Sequence, residues 1–309
     1  MAATKQVKDK IRATSNIKQI TRAMEMVAAT KMRKAETCAL GARPYAKEAL
    51  LLLSDVLRFA RAEELKHRNP LMQKGKGKLT CLVVITSDRG LCGPYNNAVL
   101  RASWKFFQDN RDVSVITIGR KGQEFFERRG VKPEYSFFQF SDIANLGDIV
   151  PLADVLLSSF ARGAYAQVVF CSTAFISALA QEVRFRQILP LELAELEQII
   201  ADIVPKKGKY AEFSLAQEPG KSSAYVLEPS WQELFDTLVA ELVRVEILHL
   251  VFEANASEHS SRMVAMKNAT ENAEDLIEFL TRQLNKARQA AITQELAEVT
   301  TAKEALTAD

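Results

Sequence analysis

Apolar residues recur three and four apart at both ends of the chain and gather into short unbroken runs in its middle. In the C-terminal stretch Met263, Met266, Thr270, Ala273, Ile277, Leu280, Leu284, Ala287 and Ala291 keep the repeat of a left-handed coiled coil. Leu234, Leu238, Leu242, Val245, Leu248 and Phe252 extend that face upstream less strictly. Near the N-terminus Val7 and Ile11, then Ile17, Ile20, Met24 and Val27, make a matching stripe. The spacing then slips by one residue to Ala28, Met32, Ala35 and Ala39, which predicts a local change of winding. All 12 glycines and 9 prolines fall between Gly41 and Pro229, leaving residues 1–40 and 230–309 without a breaker. One helix over the last eighty residues would run roughly 120 Å at about 1.5 Å per residue. Such a helix needs a partner along its length to offset its ordering entropy. The other breaker-free end supplies one, so the two ends are expected to form an antiparallel coiled-coil rod. Two helices of an ordinary bundle are the alternative, but no third long breaker-free segment completes it.

Between Leu79 and about Tyr210 the period changes. Leu79 to Thr86 is a β-branched run typical of a buried parallel strand. Ser87 to Asn96 reads as a turn and Asn97 to Phe107 as a helix. Val113–Ile118, Tyr135–Phe140 and Gln167–Thr173 follow as strands, separated by helices over Lys121–Arg129 and Asp148–Tyr165. This alternation predicts a doubly wound, Rossmann-like α/β domain. The stretch Gln187 to Tyr210, with Pro190, Pro205 and Gly208, reads as the exit toward the second long helix. The expected division is an N-terminal coiled-coil helix at 1–66, an α/β domain with linkers at 67–229, and a C-terminal coiled-coil helix at 230–309.

Charge changes this picture in one place. The 309 residues carry a net charge of only +3. Residues 1–47, however, hold eleven lysines and arginines against Asp9, Glu25 and Glu36, a surplus of eight. One strongly basic helix on a near-neutral chain expects an acidic neighbour. No run of eighteen apolar residues occurs, so no membrane-spanning helix is expected, and the start lacks the pattern of a secretory signal. Cys38, Cys81, Cys92 and Cys171 lie far apart without a CxxC pair, the pattern of reduced thiols in a cytosolic compartment.

A strand, glycine turn and helix can cradle a phosphate, but the glycine motifs here lack the residues for it. Gly90 and Gly93 lack the third glycine of a dinucleotide fingerprint. Gly75-Lys76-Gly77-Lys78 precedes its strand and lacks the Ser or Thr that would order magnesium. His67, His249 and His259 have no metal-ligand spacing. Ser260 and Ser261 follow His259 without a nucleophile elbow. No catalytic constellation, cofactor or metal is expected.

Three segments resemble one family from end to end and in the same order. Ile17-Lys18-Gln19-Ile20-Thr21-Arg22-Ala23-Met24-Glu25-Met26-Val27-Ala28-Ala29-Thr30-Lys31-Met32 resembles the N-terminal signature of the gamma subunit of F-type ATP synthases. Ser87-Asp88-Arg89-Gly90-Leu91-Cys92-Gly93 resembles its central motif, with Pro94 where many relatives have glycine. Glu258 to Thr270 and Asn285 to Leu296 resemble its C-terminal signature.

The resemblance implies a rotating central stalk without an active site of its own. It implies a coiled coil inside a hexamer of alpha and beta subunits. The α/β domain would lie against the small epsilon (delta-type) stalk subunit and the membrane c-ring. It also implies that Arg288, Gln289, Thr293 and Glu295 on the C-terminal helix, with Met24 and Lys31 on the facing helix, meet the catalytic subunits' loops. Tyr225 and Glu228 would lie toward the membrane ring. The complex would sit peripherally on the cytoplasmic face of a bacterial inner membrane. Two other classes compete. A nucleic-acid-binding coiled coil would interleave aromatics with its cations, yet residues 1–44 contain no Phe, Tyr or Trp. A nucleotide-dependent enzyme would need a ligand loop that the motifs above do not supply.

Overall fold

A computed structural model describes residues 2–41, 52, 69–138, 146–191 and 230–307. The chain divides into two compact units, one of residues 1–29 with 262–309 and one of residues 30–261. Two helices contribute to both: α1, Ala2–Gly41, and a helix of 77 residues, Trp231–Thr307.

In the larger unit β1 (Leu79–Ile85), α2 (Tyr95–Asp109), β2 (Val113–Ile118), α3 (Arg120–Glu127), β3 (Tyr135–Phe137), α4 (Leu146–Ala161), β4 (Tyr165–Phe175) and β5 (Gln181–Leu189) precede the long C-terminal helix, α5. The sheet runs β3-β2-β1-β4-β5. The first four strands are parallel, and β5 closes the edge antiparallel to β4. Alternate residues of β1 explain the layers. Cys81, Val83 and Ile85 face α4 and the first turns of α5, where Ile149, Leu152, Leu156, Phe235 and Val239 are fully buried. Leu82 and Val84 face α2 and α3 among Val99, Leu100 and Phe126. A strand covered on both faces has no polar side, which is why this run reads as continuously apolar.

The antiparallel β5 corrects the expectation of an exit segment beginning at Gln187, since Gln187 to Leu189 pair with β4. The predicted C-terminal part of the third strand, at residues 139–140, lies outside the described residues. The glycines of Gly75-Lys76-Gly77-Lys78 serve packing: a Cβ at either would lie within 2.6 Å of the Tyr165 or Ala164 carbonyl oxygen.

The smaller unit pairs the beginning of α1 with the end of α5. Thr21 and Thr270 share a buried hydroxyl–hydroxyl hydrogen bond of 2.8 Å, and Lys18 Nζ meets Glu274 Oε1 at 2.7 Å. Rising numbers on one helix meet falling numbers on the other, so the pair is antiparallel. On α5 the expected seam is sheltered from Met263 to Leu284, with Met266, Thr270, Ala273 and Leu280 buried.

The seam on α1 differs from the expected one. Ile17, Ile20 and Val27 are 54%, 59% and 54% exposed. The sheltered positions are Val7, Ile11, Thr14, Lys18, Thr21, Glu25 and Ala28, with Met32 and Ala35 continuing the spacing. That series alternates four and three without any slip. Both faces of α1 carry apolar residues, and the polar-containing one faces the partner because only it keeps register over five turns. Ala287 and Ala291 are exposed rather than close-packed. The pairing offset brings the start of α1 level with about residue 289, so later turns of α5 have no α1 residue opposite them.

Candidate functional site

Two places could carry function: the outer surface of the helix pair and the carboxyl edge of the sheet. On the helix pair, turning Thr14, Lys18, Thr21 and Glu25 toward the partner leaves larger apolar groups outside. Ile17, Ile20, Met26 and Val27 on α1, and Leu276, Phe279, Ile292, Leu296 and Val299 on α5, are between 46% and 67% exposed. Singly exposed apolar residues are ordinary, whereas nine along one helix pair are a candidate for a covered surface. Arg288, Gln289, Thr293 and Glu295 are exposed, and Met24 and Lys31 are half-buried. Thr293 Oγ1 donates to the Gln289 carbonyl at 3.0 Å, an intrahelical bond. Tyr225 and Glu228 lie outside the described residues. Lys18 holds the Glu274 carboxyl below its ordinary range by its hydrogen bond and charge, with Arg22 adding to the same effect.

At the sheet edge the loop after β1 is fastened from within. Ser87 N donates to Asn96 Oδ1 at 3.0 Å, and Asn96 Nδ2 donates to Ser87 Oγ at 2.7 Å and Cys92 Sγ at 3.1 Å. Ser87 Oγ donates to the Arg89 carbonyl at 2.6 Å. Thr86 Oγ1 donates to the Ile118 carbonyl and accepts from Gly122 N at 2.8 Å. Asp88 Oδ1 accepts from Arg120 N at 2.9 Å, placing a carboxylate at the α3 N-terminus where an anion would otherwise be favoured. Gly119 closes this turn at φ +92, and a Cβ there would come within 2.1 Å of the Thr86 carbonyl oxygen. Leu91, at φ 62, projects 63% exposed from the loop.

Two thiols of the sheet, Cys81 and Cys171, are fully buried. Burial pushes the Cys171 thiol up to about 12. The Cys81 thiol is also raised, by burial first and by the Glu134 charge second. Both stay protonated and poorly nucleophilic at neutral pH. Among the described residues no group of three or more His, Cys, Asp or Glu is placed to hold a metal, and no helix is long and apolar enough to cross a membrane. Sequence reasoning missed the polar side of the α1 seam, Ser257 of α5, and the carbonyl partners of Ser260 and Ser261. The first of these was signalled by the slip that the apolar stripe required.

Comparison with known proteins agrees with this architecture. A family model described as ATP synthase matches residues 3–306. The ATP synthase gamma chain of Chloroflexus aurantiacus is 36% identical over 312 residues, spanning 99% of this chain and all of the relative. That of Heliobacterium modesticaldum is 36% identical, covering 97% of both. The fold is shared with a Euglena gracilis mitochondrial ATP synthase chain, at TM-score 0.60 and 19% identity over 99% of this chain and 95% of that one. It is shared too with a chain from the central stalk and c-ring of the Tetrahymena thermophila enzyme, at TM-score 0.58 and 23% identity over 81% and 99%. With a relative above one-third identity along its whole length, this chain belongs to the ATP synthase gamma chain family.

Proposed function

We propose that the chain is the rotating central stalk of an F-type ATP synthase and passes torque between a membrane ion-driven ring and a catalytic hexamer. Its paired helices turn inside the ring of alpha and beta subunits. Its α/β domain meets the small epsilon (delta-type) stalk subunit and the c-ring. The observation that carries this reading is a helix pair whose seam admits the polar Thr21–Thr270 contact beside Met266, Ala273 and Leu280 while larger apolar groups stay outside. A pair that buries Thr21 and half-shelters Lys18 while exposing Ile17, Ile20, Phe279 and Leu296 forgoes stability as a free body and gains it inside a covering partner.

In this reading Met24, Lys31, Arg288, Gln289, Thr293 and Glu295 bias each catalytic subunit toward its open or closed state. A shaft with unequal faces does this as any ligand with unequal affinity for two states does. Tyr225 and Glu228 serve the membrane-ring side. The working division remains 1–66, 67–229 and 230–309. The chain itself catalyses nothing, holds no cofactor, binds no nucleic acid, and sits peripherally on the cytoplasmic face of a bacterial inner membrane as part of the complex. Affinity capture of the tagged full chain from cells tests this. It should bring down a hexameric ATPase with three copies of each large subunit per chain, and recovery of the chain alone or with nucleic acid would refute it.

A further inference from the structure

In a sheet ordered β3-β2-β1-β4-β5 the connections leave β1 in both directions, and the ligand crevice of such folds opens beyond the carboxyl ends of β1 and β4. Two loops frame it, 86–94 after β1 and 176–180 after β4. Here α5 holds both. Ser261 Oγ donates to the Cys92 carbonyl at 2.8 Å, and Ser257 Oγ donates to the Thr173 carbonyl at 3.3 Å. Ser260 Oγ donates to the Ala178 carbonyl at 2.5 Å and accepts from Gln181 Nε2 at 3.3 Å. All three serines are buried. At i, i+3 and i+4 they fall on one face of the helix.

Serine is a poorer helix former than alanine, and a buried hydroxyl is unfavourable unless it is hydrogen-bonded. Alanine would fill nearly the same space, so helix stability gives no reason for three serines here. Their bonds supply what the apolar layer beneath α5 cannot. Apolar contact is non-directional and lets a helix turn about its axis, whereas a hydrogen bond weakens steeply off its line. We infer that Ser257, Ser260 and Ser261 form a latch that fixes the rotational register of α5 against the sheet's carboxyl edge. They are positioning residues through which torque passes between the domain and its helix. This function of the latch rests on the central-stalk reading above, while the latch itself does not.

The test uses the full chain and the whole complex. Ser257, Ser260 and Ser261 are replaced together by alanine, Ser261→Ala alone serves if the triple variant does not fold, and Ser261→Thr keeps a hydroxyl in place. Hydrogen exchange on the free chain reads the latch. Loss of one hydroxyl–carbonyl bond should speed local opening about fivefold, and loss of all three by more than tenfold. The effect should be confined to residues 86–94 and 174–181, with Ser261→Thr near wild type. Unchanged exchange there overturns the latch. In the reconstituted complex, ions moved per ATP hydrolysed should fall by half or more while hydrolysis continues. Transport and hydrolysis falling in proportion, or neither changing, overturns the positioning role. A wild-type complex that hydrolyses ATP without moving ions refutes the central-stalk reading and leaves the exchange result standing.

Discussion

Replacing Thr21 and Thr270 by valine, singly and together, probes the polar seam of the helix pair. The two hydroxyls are 2.8 Å apart, and each also reaches a carbonyl on its own helix, Lys18 at 3.0 Å and Met266 at 2.9 Å. Two protons serve three acceptor positions, so one hydroxyl donates across the interface and the other donates to its own carbonyl. Thr21→Val removes the crossing bond, yet leaves Thr270 free to donate to the Met266 carbonyl. Its cost is therefore one net hydrogen bond, about 1 kcal/mol, without an orphaned group. Thr270→Val should cost the same for the mirrored reason. The double variant places two methyl groups where two hydroxyls met and should cost no more than either single. The cycle then returns a coupling of about 1 kcal/mol. The assay is hydrogen exchange of amides near residues 18–24 and 267–273 in the full chain, where that figure is about a fivefold change in opening. Strictly additive single effects, with coupling below about 0.3 kcal/mol, would refute the crossing bond and with it the observed register.

Four further outcomes follow from the same geometry. Ile17→Lys should change the free chain's stability by less than about 0.5 kcal/mol in denaturant titration, as for an exposed position, while abolishing assembly with the hexamer; a loss of several kcal/mol would return Ile17 to the seam. Arg288→Ala with Gln289→Ala should lower rotation-coupled hydrolysis in the complex and leave nucleotide affinity of the catalytic subunits unchanged, and undiminished turnover would remove both from coupling. Gly119→Ala should destabilise the α/β unit by about 2 kcal/mol or more in thermal unfolding, because the new Cβ meets the Thr86 carbonyl and φ +92 disfavours a side chain; a variant that melts with wild type would contradict the close approach. Glu253 carries the pH prediction: burial opposes its charge, but His249, at 3.5 Å, with Arg186 and Arg184, holds its carboxyl below the ordinary 4.5. Its contribution is then present above pH 4.5 and lost as pH falls through the depressed value, so wild type should exceed Glu253→Gln by more at pH 5.5, where imidazoles are ordinarily charged, than at pH 3 in urea unfolding, and a gap equal at the two would contradict it.

The sequence made the sheet legible because β1, β2 and β4 are buried on both faces and their β-branched runs have no competing reading. The long helices were legible from missing glycine and proline. β5 escaped because Glu182, Arg184 and Arg186 alternate with Val183 and Phe185 at the sheet edge, a half-exposed pattern masked by the nearby Pro190. The α1 seam is not legible from apolar content alone, because Ile17, Ile20 and Val27 face outward and Thr21 inward. The roles of Arg288, Gln289, Thr293 and Glu295 left no physical trace in their spacing, since an exposed helix residue looks the same with or without a partner. Ser260 and Ser261 stand out in the sequence beside His259 but Ser257 does not, and the carbonyl partners of all three lie more than 75 residues away, so only folding unites them.

Whether this chain turns inside a fixed hexamer can be watched in single-molecule rotation. The hexamer is tethered to a surface, a bead is attached to the α/β domain through an added tag, and ATP is supplied. A central stalk should rotate in one direction in three equal steps per turn, one for each catalytic subunit. Sustained ATP hydrolysis beneath a bead that never turns would contradict it.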